Sequence, residues 1–323
     1  MRETDTLLTV QGLKTHFFAA GQVVRAVDGI DFTIGKGETV GLVGETGCGK
    51  TVSALSVMRL IYYPPGKIVD GKIIFDGQDL LRFSERRVRQ EIRGAKISMI
   101  FQEPRTSMNP VFRIGQQMVE VIRLHQRLSA KEAEKKAIEM LEHVKIPEAS
   151  RVINYYPHEL SGGMLQRAMI AMELSCNPLL FIADEPTTAL DVTIQAQILQ
   201  LMRRMQEKMK MAILLITHDL GVVAQLCRKV AVMYAGNIVE YGSVERIFEH
   251  PIHPYTGALF RSVLGLGNEQ ERLDTIPGEV PDLSEPPPGC KFHPRCNEAR
   301  EVCRQRIPER VEMEQGHYVY CHL

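Results

Sequence analysis

Neither sign of charge dominates this chain: Lys and Arg total 39, and so do Asp and Glu. That balance removes any global preference for nucleic acid or an anionic membrane surface. Long apolar runs are missing too, and none approaches the roughly 18–20 residues a membrane-spanning helix needs. The opening residues, Met1-Arg-Glu-Thr-Asp-Thr6, carry acids early and lack the apolar stretch of a secretory signal. Cysteines number seven, odd and scattered, which argues against a disulfide framework. There is no C-x-x-C pair, no internal repeat and no low-complexity tract. The cytosol is the default compartment for such a chain.

What remains is ordinary material for a packed protein. Apolar residues make up 44% of 323 residues and charged residues 24%, enough for a core. The length suits one large domain plus an appendage, or two domains. Strand-like runs recur at 7–13, 26–34, 39–43, 72–75 and 97–101, then at 179–183, 212–217, 230–234 and 238–241. Helical patterns follow Lys50 and run through 114–145, 164–175, 194–208 and 220–227. Strands alternating with helices predict an α/β fold with a parallel sheet covered on both faces. The crowded early strands predict an antiparallel β portion joined to it. From about 104 to 157 the chain is charged, helix-periodic and strand-poor, with Ser129 and Glu132 forming a capping box. We read it as an inserted helical subdomain. Near Gly265 the texture changes, and Pro277, Pro281, Pro286, Pro287 and Pro288 predict an extended linker. The expected division is 1–263 for the main domain and 264–323 for the linker and a small cysteine-rich module.

The densest motif is Gly44-Glu-Thr-Gly-Cys-Gly-Lys-Thr51, set between the apolar run 39–43 and a helix. This is the phosphate-loop pattern in the strand-to-helix context that gives it meaning. Its glycines Gly44, Gly47 and Gly49 let successive N–H groups of Glu45, Thr46 and Cys48 face phosphate oxygens, and the following helix aims its positive end there. Lys50 would reach the β- and γ-phosphates, and Thr51 would hold Mg²⁺. Cys48 places a thiol beside the bound anion, where reactivity is expected.

Two further motifs stand in line. The apolar run 179–183 ends in Asp184-Glu185, at a strand's carboxyl end, where sheets of this type bind ligands. Asp184 would coordinate Mg²⁺ and Glu185 would act on the attacking water. Alone, such a pair is commonly just a solvated strand end. Upstream, Leu160-Ser-Gly-Gly163 opens a helix with a hydroxyl and free N–H groups, a second anion site or else a simple cap. One site needs one cradle, so the second suggests use in trans on a partner's nucleotide.

The order phosphate loop, Gln102, Ser161-Gly162-Gly163, Asp184-Glu185, Ala189-Leu-Asp191 and His218 resembles the ATP-binding-cassette ATPases over roughly residues 7–250. That resemblance implies a head-to-tail dimer with two ATP molecules at its interface. It also implies that Gln102 touches Mg²⁺ and the attacking water and relays to a membrane partner. Ser161, Gly162 and Gly163 would meet the partner's γ-phosphate, Asp191 would organise the opposite site, and His218 would clamp the γ-phosphate. Phe17 falls where the family places an adenine-stacking ring, although it and Phe18 also suit a core. Met164 stands where glutamine is frequent, with activity expected to persist.

The tail narrows the resemblance. His250-Pro-Ile-His-Pro-Tyr-Thr-Gly-Ala-Leu259, 276–281 and Gly289-Cys-Lys-Phe-His-Pro-Arg-Cys296 look like the ATPase subunits of bacterial oligopeptide and dipeptide importers, with nickel importers close by. Pro254 suits the first turn of a helix carrying Tyr255, Leu259 and Phe260. Cys290, Cys296, Cys303 and Cys321 are separated by five, six and seventeen residues. In an appendage too small for a core they suggest a metal or cluster. The resemblance implies a [4Fe–4S] cluster on these four thiolates. Zinc, weakened by the spacing, stays the alternative, as do unliganded thiols, and His293, His317 and His322 keep mixed ligation open. Cys176 and Cys227 read as buried small residues.

The expected function is therefore ATP hydrolysis that powers peptide import through two transmembrane permease subunits, at the cytoplasmic membrane face. A paralogous cassette is the implied partner, while the complete motif set also suits self-pairing. An extracytoplasmic peptide-binding protein would act indirectly. The rivals are a soluble cassette acting on nucleic acid, for which no basic stripe is visible, and a sensor whose cysteine tail is the active part.

Overall fold

The computed structural model describes residues 5–19, 21–102, 107–188, 190–264 and 276–323. Pro104, Ala189 and Gly265, which mark a boundary, a motif and a change of texture in the sequence, lie outside them. The chain folds as two compact units, Met1–Arg82 with Leu215–Leu323, and Phe83–Leu214.

The first unit begins with β1 (Thr6–Ala19) and β2 (Gln22–Gly35), a long antiparallel hairpin. The buried side chains of Leu8, Val10, Leu13 and Thr15 on β1 keep the alternation of a half-covered strand, with a register shift between Val10 and Leu13. β3 (Thr39–Val43) is buried throughout, as a central parallel strand should be. β4 (Gly66–Phe75) pairs with the free edge of β1 and is followed by β5 (Gln78–Asp79), giving a sheet ordered β2-β1-β4-β5. This is the antiparallel portion expected from the crowded early strands.

The second unit holds β6 (Ile97–Ile100) and β7 (Leu180–Asp184), parallel and wholly buried. Between them come the helices Ile114–Gln126, Ala130–His143, Ala149–Val152 and Gly162–Leu174, and after them Val192–Met209. The helical pattern expected through 114–145 is two helices, the second starting at the expected Ser129–Glu132 capping box. Arg127 adopts a left-handed φ of 54°, which ends the first. Ser129 then caps the second, its Oγ accepting from the Glu132 N–H while Glu132 reaches back to the Ser129 N–H. Ile114, Met118 and Ile122 on one helix, and Ala133, Ala137, Met140 and Leu141 on the other, form its buried stripes.

β8 (Ala212–Ile216) carries the chain back to the first unit. There β9 (Lys229–Tyr234) lies parallel to β3 and antiparallel to β10 (Asn237–Ser243). The tail contributes β11 (Arg310–Glu314) and β12 (His317–Tyr320), and β12 adds to β10 through Glu240↔Val319 and Tyr241↔Tyr318. This corrects the expectation of a self-contained cysteine-rich module. The tail is too small to bury its own strands, so it completes the sheet and core of the first unit, with Tyr318 and Val319 buried. Pro254 opens the expected helix Pro254–Leu264, whose Tyr255, Leu259 and Phe260 are buried. Among the described residues no helix is long and apolar enough to cross a membrane.

Candidate nucleotide site

In the first unit the phosphate loop leaves β3 and enters the helix Lys50–Val57 through a chain of unusual backbone angles. Gly44 has φ 151° and Gly49 φ 109°. A Cβ at Gly44 would stand 2.1 Å from the Met233 carbonyl oxygen, and one at Gly49 would stand 2.3 Å from that of Ala26. Glycine is required at both by angle and by space. The buried Lys50 ammonium donates to the carbonyl oxygens of Gly44 at 2.8 Å and Glu45 at 3.0 Å, which ties the loop across its mouth. Thr46, Gly47 and Thr51 are exposed. Cys48 is not. It is fully buried, its carbonyl accepts from the Gly236 N–H, and burial pushes its thiol up against the opposing pull of Lys50. The expected reactivity of Cys48 is thereby corrected, because the thiolate is the nucleophile and burial disfavours it.

Phe17 lies on β1 opposite Gly66 and is half-buried, while Phe18 is 43% exposed. A Cβ at Gly66 would meet the Phe17 ring at 2.8 Å, so the ring packs against the backbone of β4 there. His218 is exposed in the loop after β8, next to Asp219, which caps the helix Leu220–Leu226 by accepting from Gly221 and Val222.

In the second unit Asp184 ends β7 buried, and Glu185 follows with a left-handed φ of 47°. A non-glycine residue held there costs about 1–3 kcal/mol and persists only where surroundings fix it. They do so here: Gln102 Nε2 and Thr188 Oγ1 each donate to Glu185 Oε2 at 2.9 Å. The structure thus brings together Gln102 and Glu185, which stand far apart in sequence. Ser161 caps the helix Gly162–Leu174, its Oγ accepting from Met164 N–H, with Ser161 and Gly162 exposed and Gly163 backed by Ile194. Asp191 caps the helix Val192–Met209 through Ile194 N–H at 2.9 Å.

Sequence reasoning passed over several residues. Thr188 and the buried Gln166, whose Nε2 donates to the Pro186 carbonyl at 2.7 Å, steady the turn that carries Glu185. A glutamine inside the apolar helix run was the available signal for the second. Arg295 and Tyr255 reach Glu45 of the phosphate loop, with Arg295 Nη1 and Nη2 donating to the two carboxylate oxygens at 2.8 and 3.0 Å and the Glu45 N–H donating to Tyr255 Oη at 3.0 Å. Nothing in the sequence pairs positions so distant.

Cys290, Cys296, Cys303 and Cys321 are unpaired and line one small cavity, with His293 and His322 on its wall. Burial pushes Cys290 up to about 11, with the three neighbouring cysteines adding to the rise. Among the described residues no group of three or more His, Cys, Asp or Glu side chains is arranged to hold a metal ion. That holds for the zinc alternative and for the cluster alike. His317 is not among the residues lining that cavity, and its Nε2 pairs with the buried Glu240 at 3.1 Å. Cys227 is buried as expected, whereas Cys176 is only half-buried.

Comparison with known proteins places these features. Residues 27–188 match the family described as ABC transporter, and 239–303 match the oligopeptide/dipeptide transporter C-terminal region. The chain is 52% identical over 320 residues to a probable peptide ABC transporter ATP-binding protein, y4tR, of Sinorhizobium fredii, covering 99% of this chain and 95% of that protein. It is 50% identical to the oligopeptide transport ATP-binding protein AppD of Bacillus subtilis, covering 99% and 97% of the two chains. The dipeptide transport ATP-binding protein DppD of Escherichia coli is 47% identical, with 98% and 96% covered. The fold resembles the dimeric ATP-binding cassette MJ0796 bound to ADP and phosphate, with TM-score 0.66, 24% identity, and 74% of this chain and 99% of that one covered. Phosphate loop, strand-end acids, serine-glycine helix start and tail are thus features of one lineage, and the chain belongs to the ATP-binding-cassette ATPases, in the branch that carries the oligopeptide/dipeptide transporter C-terminal region.

Proposed function

We propose that the chain is the ATP-hydrolysing subunit of a peptide importer, peripheral on the cytoplasmic face of a membrane and docked on two permease subunits. The observation that carries the catalytic part is Glu185, held at a strained backbone position with its carboxylate gripped by Gln102 and Thr188. A carboxylate so oriented suits polarising the attacking water, and Gln102 suits contact with both water and Mg²⁺. Gly44, Glu45, Thr46, Gly47, Cys48, Gly49, Lys50 and Thr51 form the phosphate cradle, with Thr51 and Asp184 on Mg²⁺. Phe17 packs on adenine and His218 reaches the γ-phosphate. Ser161, Gly162, Gly163 and Asp191 serve the partner cassette's nucleotide in a head-to-tail dimer. The helical segment, taken as about 104–157, transmits closure to the permease, as rigid-body closure around a ligand does elsewhere.

The four tail cysteines hold a [4Fe–4S] cluster in this reading. The support is their unpaired state and common cavity. Their four thiolates would be the groups that hold it. When bound, the cluster cross-links the tail.

Reconstitution with the permease pair and the peptide-binding protein tests the transport reading. ATP-dependent uptake of labelled peptide, lost in Glu185→Gln, is the expected result. Nickel uptake without peptide uptake, or salt-sensitive DNA binding in its place, contradicts it. The same preparation, purified without oxygen, should carry about four irons and four sulfides per chain. A colourless, iron-free and active protein contradicts the cluster.

A further inference from the structure

Glu45 presents a problem of charge. It is an acid inside a loop that must receive a polyphosphate, where a bare carboxylate repels the ligand. Arg295 answers it with a forked pair of hydrogen bonds at 2.8 and 3.0 Å to the two carboxylate oxygens. Burial works against the Arg295 charge, but the hydrogen bonds to Glu45 and Tyr234 outweigh it and raise its pKa above the ordinary value. The guanidinium is fixed from behind, with Nε donating to the Pro277 carbonyl at 2.8 Å and Nη1 reaching Tyr234 Oη at 3.4 Å. Stability alone is a weak reason for such a pair, since replacing a buried ion pair by apolar groups is often neutral. Its place on the phosphate loop is the better reason.

Arg295 is also the residue before Cys296. It ends a short turn, His293–Arg295, whose backbone is pinned at one side by His293 N–H to the Cys290 carbonyl and at the other by Cys296 N–H to the His293 carbonyl. Two walls of the cysteine cavity therefore set where the guanidinium stands. Tyr255, from the helix behind, takes the Glu45 N–H through its hydroxyl. Loop side chain and loop backbone are both held from the C-terminal part of the chain.

We propose that Arg295 is a positioning residue for nucleotide binding: by neutralising and anchoring Glu45 it makes ATP affinity depend on the seating of the cysteine-bearing tail. The proposal rests on the reading that ATP binds at the phosphate loop. Its action is electrostatic and passes through one partner, so removing that partner's charge should undo the effect of removing the arginine.

The test is ATP–Mg²⁺ affinity by equilibrium titration for the full chain, Arg295→Gln, and the double variant Arg295→Gln/Glu45→Gln, with Lys50→Ala as reference. Arg295→Gln is expected to weaken ATP about tenfold, within the range of typical coupling between sites, and the double variant to recover most of that loss. A packing role for Arg295 that does not pass through Glu45 predicts no recovery. Arg295→Gln binding ATP like the unaltered chain, or a double variant as weak as the single, overturns the proposal. If Arg295→Gln does not fold, Arg295→Met, which fills similar space without charge, is read in its place with and without Glu45→Gln under the same criteria. Normal ATP binding by Lys50→Ala sinks the phosphate-loop reading itself. Abolished binding there alongside an unaffected Arg295→Gln sinks only the present inference.

Discussion

At Gly49 the chain turns with φ 109°, and a β-carbon there would stand 2.3 Å from the Ala26 carbonyl oxygen. Two penalties coincide, a backbone conformation that L side chains rarely adopt and a contact with backbone that cannot swing aside. Gly49→Ala is therefore expected to lose ATP binding and about 1–3 kcal/mol of stability, read by titration and chemical denaturation. Retained ATP affinity at unchanged stability would show that the loop has room to relax. The same scale separates what the sequence makes legible from what it hides. Lys50, Thr51, Ser161 and Asp184 sit at the strand end or helix start the sequence assigns them, because their motifs are local. Cys48 was misjudged, because the motif places the thiol beside an anion and does not show that its side chain points into the core. Arg295 was missed, because its partner Glu45 lies in the phosphate loop at the other end of the chain.

Elements were legible wherever hydrophobic period and capping agreed. The buried runs of β3, β7 and β8 and the helices after Lys50 and Ser161 fall in this group. The break near Arg127 was legible on one side, where the Ser129–Glu132 capping box marks the start of the second helix, while the end of the first rests on the left-handed angle of Arg127. β11 and β12 escaped for another reason: β11 is exposed throughout, and β12 is defined by pairing with β10 rather than by its own pattern. The helix Pro254–Leu264 carries a pH-dependent element at its start. His253 is 1% exposed, its Nδ1 accepts from the Tyr255 N–H, and burial pushes its pKa down from 6.5 to about 3. The unfolded chain thus takes a proton near pH 6.5 that the folded chain refuses until about 3. Its contribution to stability is complete above 6.5 and falls by about 1.4 kcal/mol per pH unit below it. His253→Gln is expected to flatten that part of the stability profile in denaturation measured from pH 7 to 4. An unchanged acid slope would show that His253 is protonated in the folded state.

For the whole molecule, the charge balance and missing apolar runs narrow the class, and the order of motifs narrows it to one family. The tail shows the limit of that reading. Its prolines and cysteines suggested an appendage with its own staple, yet its strands complete the first unit's sheet and its Arg295 grips the phosphate loop. Composition reports what a segment lacks, and packing decides what it joins. The central claim, that the phosphate loop binds ATP and Glu185 acts on it afterwards, is tested most directly by measuring bound nucleotide and released phosphate side by side in Lys50→Ala and Glu185→Gln. The account predicts that Lys50→Ala loses ATP binding, while Glu185→Gln retains it and releases phosphate at least about a hundredfold more slowly than the unaltered chain. Normal binding by Lys50→Ala, or normal phosphate release by Glu185→Gln, would contradict it.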